Sequence, residues 1–499
     1  MKLLDRFTKS NQDDQAQVFD FIPSTESAQG RKERRAQAAE IRRTRTESGT
    51  VLPINRLPFT TFPKGGAKVP ANLRGPSTVT PQVHGSSTLT YAAAYPFVSE
   101  GGLGAEGVYM GQDTAGGGAF CADPWAWYEK GFVSGTSIVL IGGVGTGKST
   151  CAKTLVCRLV IAGRKAAVCT DKKGEWVRVA RWLGGEVISV GPGRSSRINP
   201  LDEGSRPLLN SEDKPLSDFE WAAIVSSRRL ALLGTLVSIL LGGRMLEPAE
   251  HVALTRAVSH AAEYNKVPTI PHVISALKNP SEEVRAEIQD QGANLGHALT
   301  RCVTGDIAGM FDGESTVSFN PDAPIMVIDT SGLTGASSEA VSITSACTSA
   351  WVEAVVTNKE SGQRVVVYEE GWDTLSDPAA LERMVVQWKL AREYGITNLL
   401  ILHKLADLDM AGDSGSKPRA LAESLLTDAE IRIVYRQAPG ALPTTKKNLG
   451  LTTAEAEKVS KLKKGQGLWK VGPRSFIVDN KMTAAERPVF DTDARMESK

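Results

Sequence analysis

The sequence has no C-x-x-C pair and no spacing of cysteine and histidine that would hold zinc. Its six cysteines, at positions 121, 151, 157, 169, 302 and 347, fit structural thiols in a reduced, cytoplasmic protein. It has almost no excess of charge: 58 Lys and Arg against 56 Asp and Glu leave +2, which excludes a globally basic nucleic-acid binder and leaves room for local patches. His251, His260 and His272 form no ligand pattern with carboxylates, so surface or packing roles are expected. The longest strongly apolar helical run, Leu230–Leu241, falls short of the ~20 residues that cross a bilayer. Met1–Asp20 is polar and mixed in charge, unlike a signal peptide. The expectation is a protein not itself integral to a membrane. With 41% hydrophobic residues in 499, the chain has length for two or three domains and an ample core.

What the chain does have is one stretch of specific chemistry, from Thr136 to Gly163. An apolar run, Ile138–Ile141, is too short for a helix and reads as a strand. Gly142, Gly143, Val144, Gly145, Thr146, Gly147, Lys148 and Ser149 then spell G-x-x-x-x-G-K-S, with Thr150 following. Cys151, Leu155 and Leu159, with Val156 and Val160, recur at helical spacing up to Gly163, a natural helix stop. Strand, glycine loop and helix in that order make a phosphate-binding loop. Glycines let successive backbone N–H groups close around a phosphate, and the helix N-terminus adds partial positive charge. Lys148 is expected to bridge the β- and γ-phosphates, and the Ser149 hydroxyl to ligate Mg²⁺.

The rest of the chain is organised around that loop. Residues 1–50 are a polar arm with a basic centre, Arg31–Arg45, either a mobile charged tail or a helix that meets anionic lipid or nucleic acid. Residues 51–118, rich in Pro, Gly, Ser and Thr, read as a lead-in of short β segments and loops. Residues 119–210 and 292–499 form an α/β domain with a mostly parallel central sheet, interrupted by an all-helical insert at 211–291. Strands are expected at Lys165–Thr170, Gly184–Val190, Ala323–Thr330, Thr397–Leu402 and Ile431–Tyr435. Asp171 and Glu175, in the TDKKGEW stretch at the end of a strand, would face the phosphates or a neighbouring subunit. Within the insert, Ser217-Asp218 would cap a long helix and Pro248 would open the next.

The second chemical stretch is Arg364–Glu370 (RVVVYEE), an apolar strand running into two carboxylates. Glu369 would hold the metal through water and Glu370 would polarise the attacking water, unless the pair is simply solvated strand-end punctuation. The strand Thr397–Leu402 ends at His403, which is placed to sense the γ-phosphate or merely to cap the strand.

GGVGTGKS, DKKGEW, RINPLD, VVVYEEGW, AREYG before NLLILHK, and GQGLWKVGPRSFIV together are similar to the HerA/FtsK superfamily. More narrowly, they resemble the energising VirB-class ATPase of conjugative type IV secretion systems, in an actinobacterial-type version. The likeness spans roughly 107–496, with EEGW and RINPLD as its more specific parts. It implies a RecA-like P-loop motor, a homo-hexamer that hydrolyses ATP with Mg²⁺ to drive pilus assembly or substrate transfer. It also implies membrane-bound secretion or conjugation partners, contact with DNA, and a location in the cytoplasm or peripheral at the inner face of the membrane. Carried over by position, Lys148 and Ser149 match the first nucleotide motif, Glu369 and Glu370 the acidic pair, Arg392 the arginine finger and His403 the sensor. Arg432, Arg436 and Arg474 are rival fingers, and a surface pairing of Arg392 with Glu393 or Glu382 is the plain alternative.

Three departures stand out. The family usually has Asp where this chain has Glu369, and Gln where it has His403. The family's large N-terminal domain is also not found ahead of the motor, so a separate partner protein would supply it. Two other functions use the same parts: a HerA/FtsK-type DNA translocase or coupling ATPase, and a non-catalytic ATP-binding scaffold.

Overall fold

Short runs of Val, Ile and Leu form the strands, because β-branched side chains pack well on a pleated surface covered on both faces. The computed structural model describes residue 36 and residues 102–490, apart from 211–213, 289–290, 319, 357–361, 370–377 and 404–415. The chain divides into two units, Met1–Ser87 and Thr88–Lys499, and every element named below belongs to the second. The basic arm lies outside the described residues, Ala36 excepted.

In chain order the first elements are β1 (Val108–Asp113), β2 (Ala119–Ala122), α1 (Pro124–Glu129), β3 (Ile138–Ile141), α2 (Lys148–Ile161), β4 (Lys165–Asp171), α3 (Glu175–Trp182) and β5 (Glu186–Ser189). Five helices follow: α4 (Asp218–Leu240), α5 (Pro248–Tyr264), α6 (Ile270–Lys278), α7 (Glu282–Ile288) and α8 (Gln291–Thr300). The sheet resumes with β6 (Ile325–Asp329), α9 (Ser338–Val356), β7 (Arg364–Tyr368), α10 (Pro378–Leu390), β8 (Ile396–Leu402), α11 (Lys417–Asp428) and β9 (Ile431–Tyr435). Then come α12 (Leu442–Asn448), α13 (Thr453–Lys461), β10 (Gln466–Val471), β11 (Arg474–Asn480) and α14 (Arg487–Phe490).

The strands form one 11-stranded sheet in the order β2-β1-β11-β10-β9-β3-β8-β7-β4-β6-β5. From β9 to β5 all pairings are parallel, and from β2 to β9 all are antiparallel. The mostly parallel α/β sheet expected from sequence is therefore observed, with an antiparallel flank added. β1 lies in the stretch read from sequence as a lead-in, yet it is a strand of this sheet, registered against β11 and β2. Its glycines and polar residues hid it. Gly111 sits so close to β11 that an added Cβ would meet the Asp479 carbonyl oxygen at 2.0 Å, so the position needs a residue without a side chain.

Side chains alternate between two cores. Val139 and Ile141 of β3 join one, and Ile138 and Leu140 join the other. The first core also takes Leu232, Leu233, Leu236 and Val237 of α4, so the helical insert covers one face of the sheet rather than forming a lobe of its own. The insert's helices run past the expected end at 291, since α8 continues to Thr300. Ser217 caps α4 reciprocally with Glu220, and Pro248 occupies the first turn of α5, both as the sequence implied. At 23 residues α4 is long and apolar enough to cross a membrane, which the Leu230–Leu241 run alone is not. Arg229 on α4 is buried and donates to the Leu201 carbonyl, and half of the apolar window is buried in the protein.

Candidate active site

The geometry of the loop follows from its glycines. Gly145 and Gly147 have φ of 72° and 106°, in the left-handed region that glycine enters without a Cβ clash. At Gly142 a Cβ would approach that of Tyr435 to 2.4 Å, so the loop's first glycine is needed for close packing on β9. Three hydrogen bonds anchor the loop: Gly143 N–H to the Arg436 carbonyl (3.1 Å), Gly465 N–H to the Thr146 carbonyl (2.9 Å), and Thr146 Oγ1 to the Gly143 carbonyl (2.7 Å). No side chain caps Gly147 at the start of α2, so that helix offers its first N–H groups to a ligand.

Lys148 is buried, and its ammonium turns back onto the loop, donating to the carbonyls of Gly142 and Gly143 (2.9 Å to the latter). It also lies 3.3 Å from His403 Nδ1. An ammonium can only donate, so in this contact Nδ1 accepts. Burial and the neighbouring Lys173 push the Lys148 pKa down to about 8, while the Glu369 carboxylate pulls the other way. Sequence placed Lys148 and His403 in one site, and the sheet order explains the meeting. β8 lies directly between the loop strand β3 and the acidic strand β7, so the tip of β8 falls beside the loop.

Glu369 follows β7 immediately. Its Oε2 accepts from Trp176 Nε1 at 2.6 Å, and burial together with the Glu175 and Asp171 carboxylates raises its pKa to about 7 against the pull of Lys153. Glu370 lies outside the described residues. Asp171 and Glu175 take other places than the phosphate-facing ones expected. Asp171 is fully buried and accepts from the N–H groups of Glu175, Trp176 and Val177, fixing the start of α3. Glu175 pairs with Lys153, a fully buried lysine on α2. Sequence reasoning missed Lys153 because it stands inside an apolar helix, where only a buried partner reveals it.

Arg392 is not brought to this site. It sits exposed in the turn before β8, at the opposite end of a strand that spans roughly 23 Å. Of its rivals, Arg432 donates to three backbone carbonyls and Arg474 lies over the Phe132 ring, both structural roles. Arg436 is exposed at the loop end of the sheet. A cavity of about 1000 Å³ lies between α4, α9 and α10 on the insert side; it holds none of the loop residues and is mainly apolar.

The two pKa shifts give a pH dependence. As pH falls through about 7, Glu369 takes up a proton and loses its negative charge; as pH rises through about 8, Lys148 loses its positive charge. The kcat/KM for nucleotide hydrolysis, which reports the free enzyme, is expected to be a bell with its maximum between those limbs. A profile flat from roughly pH 6 to 9 would contradict these protonation states.

Loop, sheet order and strand-tip residues together make this a RecA-like P-loop nucleotide-binding fold. No protein-family model and no curated protein sequence matches the chain. Among solved structures it is similar to VirB4 of Thermoanaerobacter pseudethanolicus, at 21% identity over 78% of this chain and 100% of that one, with a TM-score of 0.61. A weaker likeness, at 13% identity and a TM-score of 0.48, joins 77% of this chain to 93% of the bacterial conjugative coupling protein TrwB lacking residues of its N-terminus.

Proposed function

We propose that the chain is an ATP-hydrolysing motor that energises a conjugative, type IV secretion-like transfer machinery. The observation that carries this reading is the convergence of Lys148, His403 and Glu369 at the tips of β3, β8 and β7, within a fold similar to that of VirB4. The donor set suits its ligands: open N–H groups and an ammonium for the phosphates of ATP, a hydroxyl and a carboxylate for Mg²⁺. Gly142–Thr150 cradle the phosphates, and Lys148 exchanges the carbonyls of Gly142 and Gly143 for phosphate oxygens. Ser149 and Glu369 hold Mg²⁺, which when bound neutralises charge between the β- and γ-phosphates. Glu370 orients the attacking water, and His403 senses the γ-phosphate through the contact it makes with Lys148.

The working form is a homo-hexameric ring, cytoplasmic and peripheral at the inner face of the membrane. There it meets membrane-bound secretion or conjugation components. Steady-state ATPase, measured with and without single- and double-stranded DNA alongside mass determination in ATP, tests the reading. Activity indifferent to DNA in a six-membered ring is expected. Strong stimulation by DNA would instead make the chain a DNA translocase or coupling ATPase.

Because Arg392 is far from its own loop, its action as a finger requires a neighbouring subunit. A Lys148→Ala subunit still offers Arg392, and an Arg392→Ala subunit still offers an intact loop. Mixing the two inactive preparations is therefore expected to restore part of the activity. No recovery, in mixtures shown by mass to have exchanged subunits, would remove Arg392 from the interface and leave Arg436, at the loop end, as the alternative.

A further inference from the structure

Beneath the loop lies a set of side chains that the proposed reaction does not use directly. Trp176 is fully buried and donates its indole N–H to Glu369 Oε2 at 2.6 Å. Its helix is fixed at the start by Asp171, which gathers three consecutive N–H groups at 2.8–3.1 Å. One residue before Trp176, Glu175 pairs with Lys153. Lys153 stands on the helix that begins with Lys148, and its charge acts on Glu369 as well.

The two chemical stretches of the sequence are thus joined by one chain of contacts, from α2 through Lys153 and Glu175 to Trp176 and Glu369. A glutamate at a strand end would otherwise be free to turn, and holding such a side chain still costs rotamer entropy. A bond to one oxygen fixes the carboxylate plane. Among the described residues no hydrogen bond reaches the other oxygen.

We propose that Trp176 and Lys153 are positioning residues that set the orientation of the Glu369 carboxylate toward the nucleotide-bound metal. The inference rests on the role given above to Glu369, and it deepens that role by naming what aims the group. Lys153, itself fully buried, supplies the positive charge that offsets the mutual repulsion of the Glu175 and Glu369 carboxylates. Trp176 supplies direction. Partners of this kind are worth roughly 10–100-fold in metal affinity or activity where they have been removed from other sites.

The test is Trp176→Phe, which keeps an aromatic ring and removes the donor. Three readouts are taken on the full chain: kcat and KM for ATP, thermal stability, and the affinity for Mn²⁺ in the presence of a non-hydrolysable ATP analogue, read from the free-ion EPR signal. The expected result is a fall in kcat of about tenfold and a several-fold loss of Mn²⁺ affinity, with analogue binding unchanged within about twofold. A merely structural role would lower stability and analogue binding together and leave the metal affinity of the folded fraction intact, and that outcome would overturn the proposal. A second variant, Lys153→Met with Glu175→Met, replaces the buried pair by apolar groups of similar length and keeps the site foldable. It is expected to lose Mn²⁺ affinity in the same way, and unchanged affinity would remove Lys153 from the proposal.

Glu369→Gln separates the two levels. If it stays active, the role of Glu369 itself fails. If it is inactive while Trp176→Phe behaves as wild type, only the positioning claim fails. In the Glu369→Gln background Trp176→Phe is expected to change Mn²⁺ affinity no further, because the two residues act as one unit.

Discussion

Lys148→Ala is expected to bring ATP hydrolysis to background, a loss of roughly 10³-fold or more, because the ammonium neutralises charge that grows as the γ-phosphoryl group departs. The fold should survive. The ammonium of Lys148 is held by two loop carbonyls and His403, and burial has already lowered its pKa to about 8. Removing a buried charge of that kind relieves desolvation, so circular dichroism and the melting temperature are expected to match wild type or rise slightly. Turnover within a factor of two of wild type, in a variant of native stability, would mean that Gly142–Thr150 is not the catalytic loop.

The second large effect concerns the carboxylates. Glu370→Gln is expected to lower kcat by roughly 10²–10⁴-fold while leaving ATP bound, so that the nucleotide-loaded assembly accumulates. Glu369→Gln is expected to weaken the metal contact and lower kcat as well. The distinction lies in the trapped state. Loss of a water-orienting group would leave Mg²⁺ and ATP in place, whereas loss of a metal-holding group would loosen both. Full activity in Glu370→Gln beside a dead Glu369→Gln would make Glu369 the essential carboxylate and reverse the two roles.

How far such effects were foreseeable from sequence differs between the two halves of the site. β3 and α2 were legible because their apolar spacing changes period at Gly142, with glycines where the backbone must turn left-handed. β9 was read at its observed limits, Ile431–Tyr435, and the starts of β4 and β7 also agreed, because each is a short apolar run bounded by polar residues. Which strands are neighbours was not legible. β8 enters between β3 and β7 by a long crossover, and only that order puts His403 against Lys148. The antiparallel flank was obscured for a different reason. β1 carries glycine and polar residues, and β10 and β11, joined by a two-residue turn, Gly472-Pro473, lie beyond the last strand expected, Ile431–Tyr435.

Acidic residues were the least predictable from position alone. Asp171 and Glu175 stand at a strand's carboxyl end, where α/β sheets place ligands, and both are nonetheless spent within the protein. Backbone N–H groups at the start of α3 claim Asp171, and the buried ammonium of Lys153 claims Glu175. A buried donor needs an acceptor more than a strand tip needs a ligand, and the sequence does not show which donors are buried. Glu369, in contrast, has one oxygen without a hydrogen bond from a described residue.

A motor, unlike a scaffold, turns over ATP and does not merely bind it. Phosphate release by the purified full chain at saturating Mg²⁺ and ATP tests this most directly, with nucleotide binding measured on the same sample. Steady turnover well above the Lys148→Ala background is expected, abolished when EDTA removes Mg²⁺. Tight ATP binding with phosphate release no faster than that of Lys148→Ala would contradict it and make the chain a nucleotide-binding scaffold.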